Sequence, residues 1–268
     1  MIPSTRIIRF TLRLGRSGSL ALAACLSFAC ALEPPGEATL GLFGNADPRV
    51  FYGRDIEARL IALTIDDAPD PDSTPRILAT LREHDAHATF FVIGEQVAGS
   101  EDLIRRIVED GHEIGNHMAR DEKSVDLDAD EFERRLLLTQ TELSRFAPVR
   151  WFRPGSGYYS DEMLDVLDRH GLRCALGTVY PLDAQLGWSW LSRSWIDWRA
   201  EPGAIVILHD RGRRGLRTAA TLDRVLPRLR DDGYRAVTLS ALADWTGQKA
   251  SRRVLRLTRV TLDHSRGR

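Results

Sequence analysis

The sequence holds little cysteine. Of its 268 residues three are Cys, and two of them, Cys25 and Cys30, fall within the first 32 positions. A chain shortened by that stretch would keep Cys174 alone, so no intrachain disulfide is expected. Cys174 lies in the apolar run Cys174-Ala175-Leu176 and reads as a buried thiol. An excess of charge of one sign is also missing: 37 Lys and Arg face 38 Asp and Glu, a formal net charge of -1. That balance gives no reason to expect a nucleic-acid partner. Two locally basic stretches, Arg211 to Arg217 and the segment after Lys249, read as solvated surface with an option of contact to an anionic polymer. No internal repeat or low-complexity segment is present, which excludes a repeat architecture.

Acids are absent from the first 32 residues, where Arg6, Arg9, Arg13 and Arg16 precede the apolar stretch Leu20 to Leu32. That stretch is too short to span a bilayer comfortably. A charged region followed by a short apolar one, with Ala29-Cys30-Ala31 as a small-residue cleavage site, reads as a secretory signal. Leu22-Ala23-Ala24-Cys25 also fits a lipoprotein box that would anchor the chain to a membrane through Cys25, and an Arg-rich, acid-poor start fits an organelle transit peptide. A secreted or otherwise extracytoplasmic protein is the expectation, and a monomer.

What is present is alternation. From Leu60 to Trp245 candidate strands (60–65, 88–93, 112–116, 150–153, 173–177, 204–208, 235–239) alternate with candidate helices (74–84, 100–110, 129–145, 160–170, 217–231, 240–245). Ser73-Thr74 stands as a cap before Pro75 in a first helical turn. Such alternation implies a parallel sheet, and seven or so units suggest a single α/β barrel domain over 58–247. It would follow a targeting segment at 1–32 and a linker and lead-in segment at 33–57, and would precede a basic tail at 248–268. Residues 178–203, with Trp188, Trp190, Trp195 and Trp198, break the rhythm and read as a long functional loop containing a strand.

Five short stretches stand near the carboxyl ends of candidate strands, where α/β folds gather their chemistry. Asp66-Asp67 ends the apolar run Leu60 to Ile65. Two adjacent carboxylates repel unless a cation sits beside them, and strand alternation would point them to opposite sides. Asn116 to Asp121 places His117 and Asp121 four apart, on one face if the segment is one helical turn. With Asp67 they would make a three-ligand site for a divalent metal. A lone histidine would more often be a cap or core residue; two acids at matched positions reverse that weighting. Arg150 to Gly157 contains Arg153, able to hold a carboxylate ionised, and a Gly-Ser-Gly turn whose N–H groups could receive an oxyanion. Asp197 sits between Trp195 and Trp198, and the buried run Ile205 to Leu208 ends in His209-Asp210. Each stretch also has a plain structural reading, as a turn, a half-buried strand or a helix cap.

Their joint order resembles the polysaccharide deacetylase family, also called carbohydrate esterase family four or the nodulation-protein-B homology domain, over roughly residues 58 to 246. Thr64-Ile65-Asp66-Asp67-Ala68-Pro69 is similar to its T-F-D-D-G-P motif, and Ala88 to Gly94 to its second strand, A-T-F-F-V-x-G. Gly111 to His117 matches G-H-E-I-G-N-H, Phe152-Arg153-Pro154 matches F-R-P, Asp197-Trp198 its D-W, and Ile207 to Asp210 its L-L-H-D. The resemblance implies a distorted (β/α)7 barrel that hydrolyses N-acetyl groups on the amino sugars of a glycan. By position, Asp66 is implied as general base, His209 as general acid, Arg153 as the partner of Asp66, and Asp197 as the residue that orients His209. Asp67, His117 and Asp121 are implied as ligands of a divalent metal, with zinc first and manganese or cobalt as alternatives. Ser156 would supply an oxyanion donor, Leu208 would line the acetyl pocket, and Trp198 would belong to the substrate site. Trp188, Trp190 and Trp195 could stack on sugar rings.

Three positions depart from the family pattern. Asp121 stands where a second metal histidine is usual, with Glu122 as a fallback ligand. Ala68 replaces a glycine, so the turn must avoid positive φ there. Gly155-Ser156 replaces Pro-Tyr and removes an aromatic wall. The departures at Asp121 and Gly155-Ser156 keep open a barrel that binds glycans without turnover. A phosphotransferase with an aspartyl nucleophile would want Asp-x-Asp, which Asp66-Asp67-Ala68-Pro69 does not supply.

Overall fold

The computed structural model describes residues 47–181, 183 and 189–247. The targeting segment, residues 33–46 of the linker, Trp188 and the tail at 248–268 lie outside the described residues. Among these residues eight strands form one parallel sheet: β1 (Val50–Phe51), β2 (Leu60–Ala68), β3 (Thr89–Val92), β4 (Glu113–Asn116), β5 (Trp151–Phe152), β6 (Arg173–Ala175), β7 (Ile205–His209) and β8 (Arg235–Val237). Their order is β1-β6-β5-β4-β3-β2-β7, with β8 also paired to β2. Beyond β6 the chain reaches β7: Val179 bridges Val206, and the Ile207 N–H donates to the Val179 carbonyl at 2.9 Å. That single bridge closes the ring into a distorted barrel. β1 falls within the expected lead-in segment, so the sheet takes in residues before 58.

β2 is the spine. All nine of its residues are buried, as an apolar, β-branched run covered on both faces requires. Alternate residues split between two cores. Ile61, Leu63 and Ile65 join Val206, Leu208 and Phe90 beneath Ile77 and Leu222 of the helical layer. Leu60 and Ala62 join Phe91, Trp151 and Ile205 within the ring, together with Leu239 and Leu242.

Among the described residues seven helices surround the sheet: α1 (Thr74–Glu83), α2 (Glu101–Glu109), α3 (Ala129–Leu143), α4 (Asp161–Arg169), α5 (Ser189–Arg199), α6 (Gly212–Asp231) and α7 (Leu239–Ala243). Asp128, Ser160 and Thr238 cap α3, α4 and α7 by accepting backbone N–H groups of the first turn. Pro75 does open α1, but the expected capping hydroxyls are used elsewhere: Ser73 and Thr74 donate to the Asp210 carboxylate. Asp210 also accepts the Arg211 N–H, and Asp70 accepts that of Gly212 at 2.9 Å, so α6 starts five residues earlier than its periodicity suggests. The stretch read as a loop with a strand is helical at 189–199: Ser192 and Ile196, four apart, form its buried stripe.

Candidate active site

The strand ends that emerge beyond β2, β4, β5 and β7 converge. In β2 the register against β3 shifts between Ile65 and Ala68, and Asp67 takes a left-handed φ of 64°. The positive φ that glycine would carry thus sits on Asp67 rather than on Ala68. Such backbone costs a non-glycine residue on the order of 1–3 kcal/mol and clusters at functional sites. The bulge also undoes plain alternation. Both carboxylates are buried and both feel the imidazoles of His117 and His209.

Arg153, directly after β5, is buried. Its Nη1 donates to Asp66 Oδ1 and to Thr64 Oγ1, each at 2.7 Å, and its Nε to the Ala175 carbonyl at 3.0 Å. The guanidinium carbon lies 4.2 Å above the Phe91 ring centre. Burial alone would raise the Asp66 pKa, but Arg153, with His117 and His209 behind it, holds the carboxyl below its ordinary value. Asp67 moves the other way: burial, with the charges of Asp66 and Asp121 added, outweighs the two imidazoles and raises it. Adjacent residues therefore have opposite electrostatics.

His117 follows β4. Its Nδ1 lies 2.8 Å from the Arg153 carbonyl oxygen, which can only accept, so the neutral ring carries its proton there. Nε2 is then a lone pair, 3.6 Å from Asp67 Oδ1. Two acceptors facing each other in a buried place suit a shared cation: two bonds of about 2.0–2.1 Å to one ion span about this separation. For these two residues the donor set fits a divalent metal. Asp121 does not complete the set in this conformation. Residues 117–123 are not helical, Met118 has a φ of 69°, and the Asp121 side chain is 54% exposed and bonded to Arg211 Nη1 at 3.1 Å. Among the described residues, the trio of His and acidic groups whose ligand atoms all lie within 4.8 Å is Glu83, His84 and Asp223 on the surface of α1 and α6, apart from this site. Arg214 Nη1 stands 3.3 Å from Asp67 Oδ2. Glu122, the fallback ligand, is tied to Arg135 of α3.

His209 closes β7, in register with Asp66. Its partner is Asp183, not Asp197. Nδ1 lies 3.0 Å from Asp183 Oδ1, and the His209 N–H donates to Asp183 Oδ2 at 2.8 Å. Burial opposes the imidazolium, but Asp183, with Asp66 and Asp67, raises the pKa to about 9. Asp197 lies on α5 and pairs with Arg228 at 3.2 Å, toward the far end of α6 from His209. Trp198, on the same helix, is 70% exposed and meets Trp195 edge to face. The helical turn at 195–198 carries both away from the strand ends. Leu208 is likewise misplaced: it packs in the outer core, whereas Ile207 shares the face of His209. Asp183 and Ile207 are the residues that sequence reasoning missed. Alternation back from His209 points to Ile207; Asp183 follows β6, which ends at Ala175, at a distance that no strand-end pattern marks.

Ser156 is exposed, with a left-handed φ of 63°, in the short turn Gly155–Gly157. Gly155 backs onto the loop of Asp121. A Cβ there would overlap the Glu122 carbonyl oxygen.

A family model for polysaccharide deacetylases matches residues 53–175. The chain is 33% identical over 199 residues to a peptidoglycan-N-acetylglucosamine deacetylase of Bacillus cereus, covering 69% of this chain and 88% of the relative. It is 34% identical over 194 residues to a chitooligosaccharide deacetylase of Sinorhizobium fredii, covering 65% and 87%. Among solved structures, a peptidoglycan N-acetylglucosamine deacetylase in complex with a naphthalenyl N-oxidanyl-benzamide superposes with a TM-score of 0.70 at 26% identity, covering 76% of this chain and 95% of the other. A pseudoenzyme of carbohydrate esterase family four from Bacillus anthracis superposes with a TM-score of 0.68 at 28% identity, covering 74% and 70%.

Proposed function

The chain belongs to the polysaccharide deacetylase family, and on that premise we propose that it hydrolyses N-acetyl groups on the amino sugars of a chitin-like or peptidoglycan-like glycan, with a divalent cation as cofactor. The observation that carries this reading is the convergence of Asp66, Asp67, His117, Arg153 and His209 at one end of the ring, with opposite electrostatics on the two acids. Relatives acting on peptidoglycan support an extracytoplasmic location, with a lipid anchor at Cys25 as the variant form.

Asp66, kept ionised by Arg153, accepts the proton of the attacking water. His209 starts protonated and gives its proton to the departing nitrogen, so the acetamide leaves as acetate and free amine. Asp183 holds the imidazole by Nδ1 and leaves Nε2 to face the substrate. The Ser156 N–H is the proposed oxyanion donor, and Ile207 takes over from Leu208 as the proposed wall against the acetyl methyl. Asp67 and His117 would hold the cation, with Asp121 as third ligand once it leaves Arg211. Zinc, manganese and cobalt all suit one imidazole and two carboxylates. Bound there, the cation supplies Lewis acidity toward the acetamide carbonyl and toward water.

Acetate release from chitooligosaccharide and from peptidoglycan fragments, with and without chelator, tests the reading. Turnover that chelator abolishes and metal restores is expected. Activity indifferent to chelator would overturn the cation's role. Glycan binding without turnover, in protein shown to hold metal, would establish the alternative of a binding barrel, which the standing-off of Asp121 favours.

A further inference from the structure

Three arginines of the chain stand at the mouth of this site with no carboxylate of their own once the proposed chemistry is in place. Arg211 stands directly before α6, and Arg214 and Arg217 lie three apart in its first turns, so that the three line one edge of the site as a ridge. Each reaches a group of the site: Arg211 Nη1 lies 3.1 Å from Asp121 Oδ2, Arg214 Nη1 3.3 Å from Asp67 Oδ2, and Arg217 Nη2 3.5 Å from the Asp183 carbonyl. Arg217 Nε is buried without a hydrogen-bond partner. Arg211 and Arg214 keep 44% and 37% of their side-chain surface exposed, so both can be approached from outside.

The ridge is held firmly. Asp70 accepts the Gly212 N–H, Asp210 accepts the Arg211 N–H, and Gly215 packs so closely on Ser73 and Asp210 that a Cβ would overlap both. Asp70 and Asp210 lie at the same helix start, but their oxygens accept from Ser73, Thr74 and backbone N–H groups rather than from these guanidinium groups. Arg153 neutralises Asp66, and His209 pairs with Asp183. A divalent cation at Asp67 and His117 would claim Asp67 and Asp121, the two carboxylates that Arg214 and Arg211 now hold. Arg211 and Arg214 would then be left without a carboxylate, beside Arg217, whose Nη2 holds the Asp183 carbonyl at 3.5 Å. Guanidinium groups can donate to the hydroxyls of a neutral glycan, but their forks match carboxylate and phosphate oxygens best.

We propose that Arg211, Arg214 and Arg217 form an anion-recognition ridge, and that the preferred substrate is an acetylated amino sugar bearing a carboxylate or phosphate close to the acetamide. This rests on the deacetylase reading of the same site.

The test uses the full chain and three acetylated amino sugars: one with a lactyl ether carboxylate, one with an anomeric phosphate, and a neutral chitooligosaccharide. Direct binding to the inactive Asp66→Asn variant is measured by calorimetry beside turnover by the wild type. Anionic sugar is expected to bind more tightly than neutral, by about tenfold for each guanidinium engaged. Arg214→Gln and Arg217→Gln should erase that preference, Arg→Lys should restore part of it, and added salt should weaken it. The sugar that gains most tells carboxylate from phosphate. Equal binding of charged and neutral sugars, unchanged in the Arg→Gln variants, overturns the ridge even if all three are deacetylated. Absence of acetate release from every sugar in metal-loaded protein instead overturns the deacetylase reading, and the binding measurement still decides the ridge.

Discussion

The two ends of the barrel handle buried polar groups in opposite ways. At the end where strands begin, Glu113 of β4 accepts from Thr89 Oγ1 at 2.8 Å and from the N–H and hydroxyl of Ser240, while Ser240 accepts the Trp151 indole at 2.9 Å. Thr89 in turn accepts the Leu239 N–H at 2.9 Å. The first N–H groups of α7 thereby find partners, and a five-residue helix too short to persist alone is fixed as a plug. Burial of Leu239 and Leu242 adds about 1.5–3 kcal/mol each. At the end where strands finish, two acids are crowded side by side, one on left-handed backbone, and Arg153 Nη2 is buried without a partner. The network around Glu113 serves stability, whereas the crowded acids and the unpartnered Arg153 nitrogen leave polar demand for a ligand to satisfy.

That contrast can be broken or sharpened by substitution. The largest effect is expected for Asp66→Asn, which should lose about 10²–10⁴ in kcat while still binding metal, as measured by acetate release and metal analysis. Full activity in that variant would remove Asp66 as base. Glu113→Ala at the other end should cost about 2–3 kcal/mol in denaturant unfolding, because it strands several donors, yet leave kcat/KM within about twofold. A large loss of activity there would show that the two ends are not separable. Asp183→Asn tests the acid. His209 is protonated below about 9 because Asp183 raises it, so activity should persist up to that pH and fail above it. Without that negative charge the alkaline limb of the kcat/KM profile should move down by about 1–2 pH units. The smallest effect, and the sharpest for the comparison, is Asp67→Asn. It should abolish metal binding yet raise the metal-free melting temperature, by the equivalent of about 1 kcal/mol, since it relieves repulsion and Asn tolerates left-handed backbone. A lower melting temperature would mean that the Arg214 pair outweighs the crowding.

The strand ends were legible because parallel sheets write them as apolar runs broken by charge: Asp66, His117, Arg153 and His209 all stand where such runs stop. The family match and the parallel α/β architecture followed from the same runs. What stayed hidden depends on chain direction after a strand ends. Residues 117–123 turn on the positive φ of Met118 rather than continuing as a helix, which moves Asp121 to the rim. Four tryptophans near residue 190 mask the Ser192 and Ile196 stripe, so the sequence reads as a loop where α5 stands, and the carboxylate bonded to His209 is that of Asp183 rather than Asp197. Leu208 and Ile207 differ by one step of the strand, enough to exchange core for cleft.

The close approach of Gly155 to Glu122 couples two departures from the family pattern. The loop that offers Asp121 and the turn that offers Ser156 fit together only because residue 155 has no side chain. They behave as one interchangeable part rather than two. Grafting the usual proline into position 155 would force the neighbouring loop outward and take its carboxylate along, whereas Asp121→His leaves the seam untouched. Anyone redesigning this barrel can therefore change the ligand freely but must exchange the turn and the loop together.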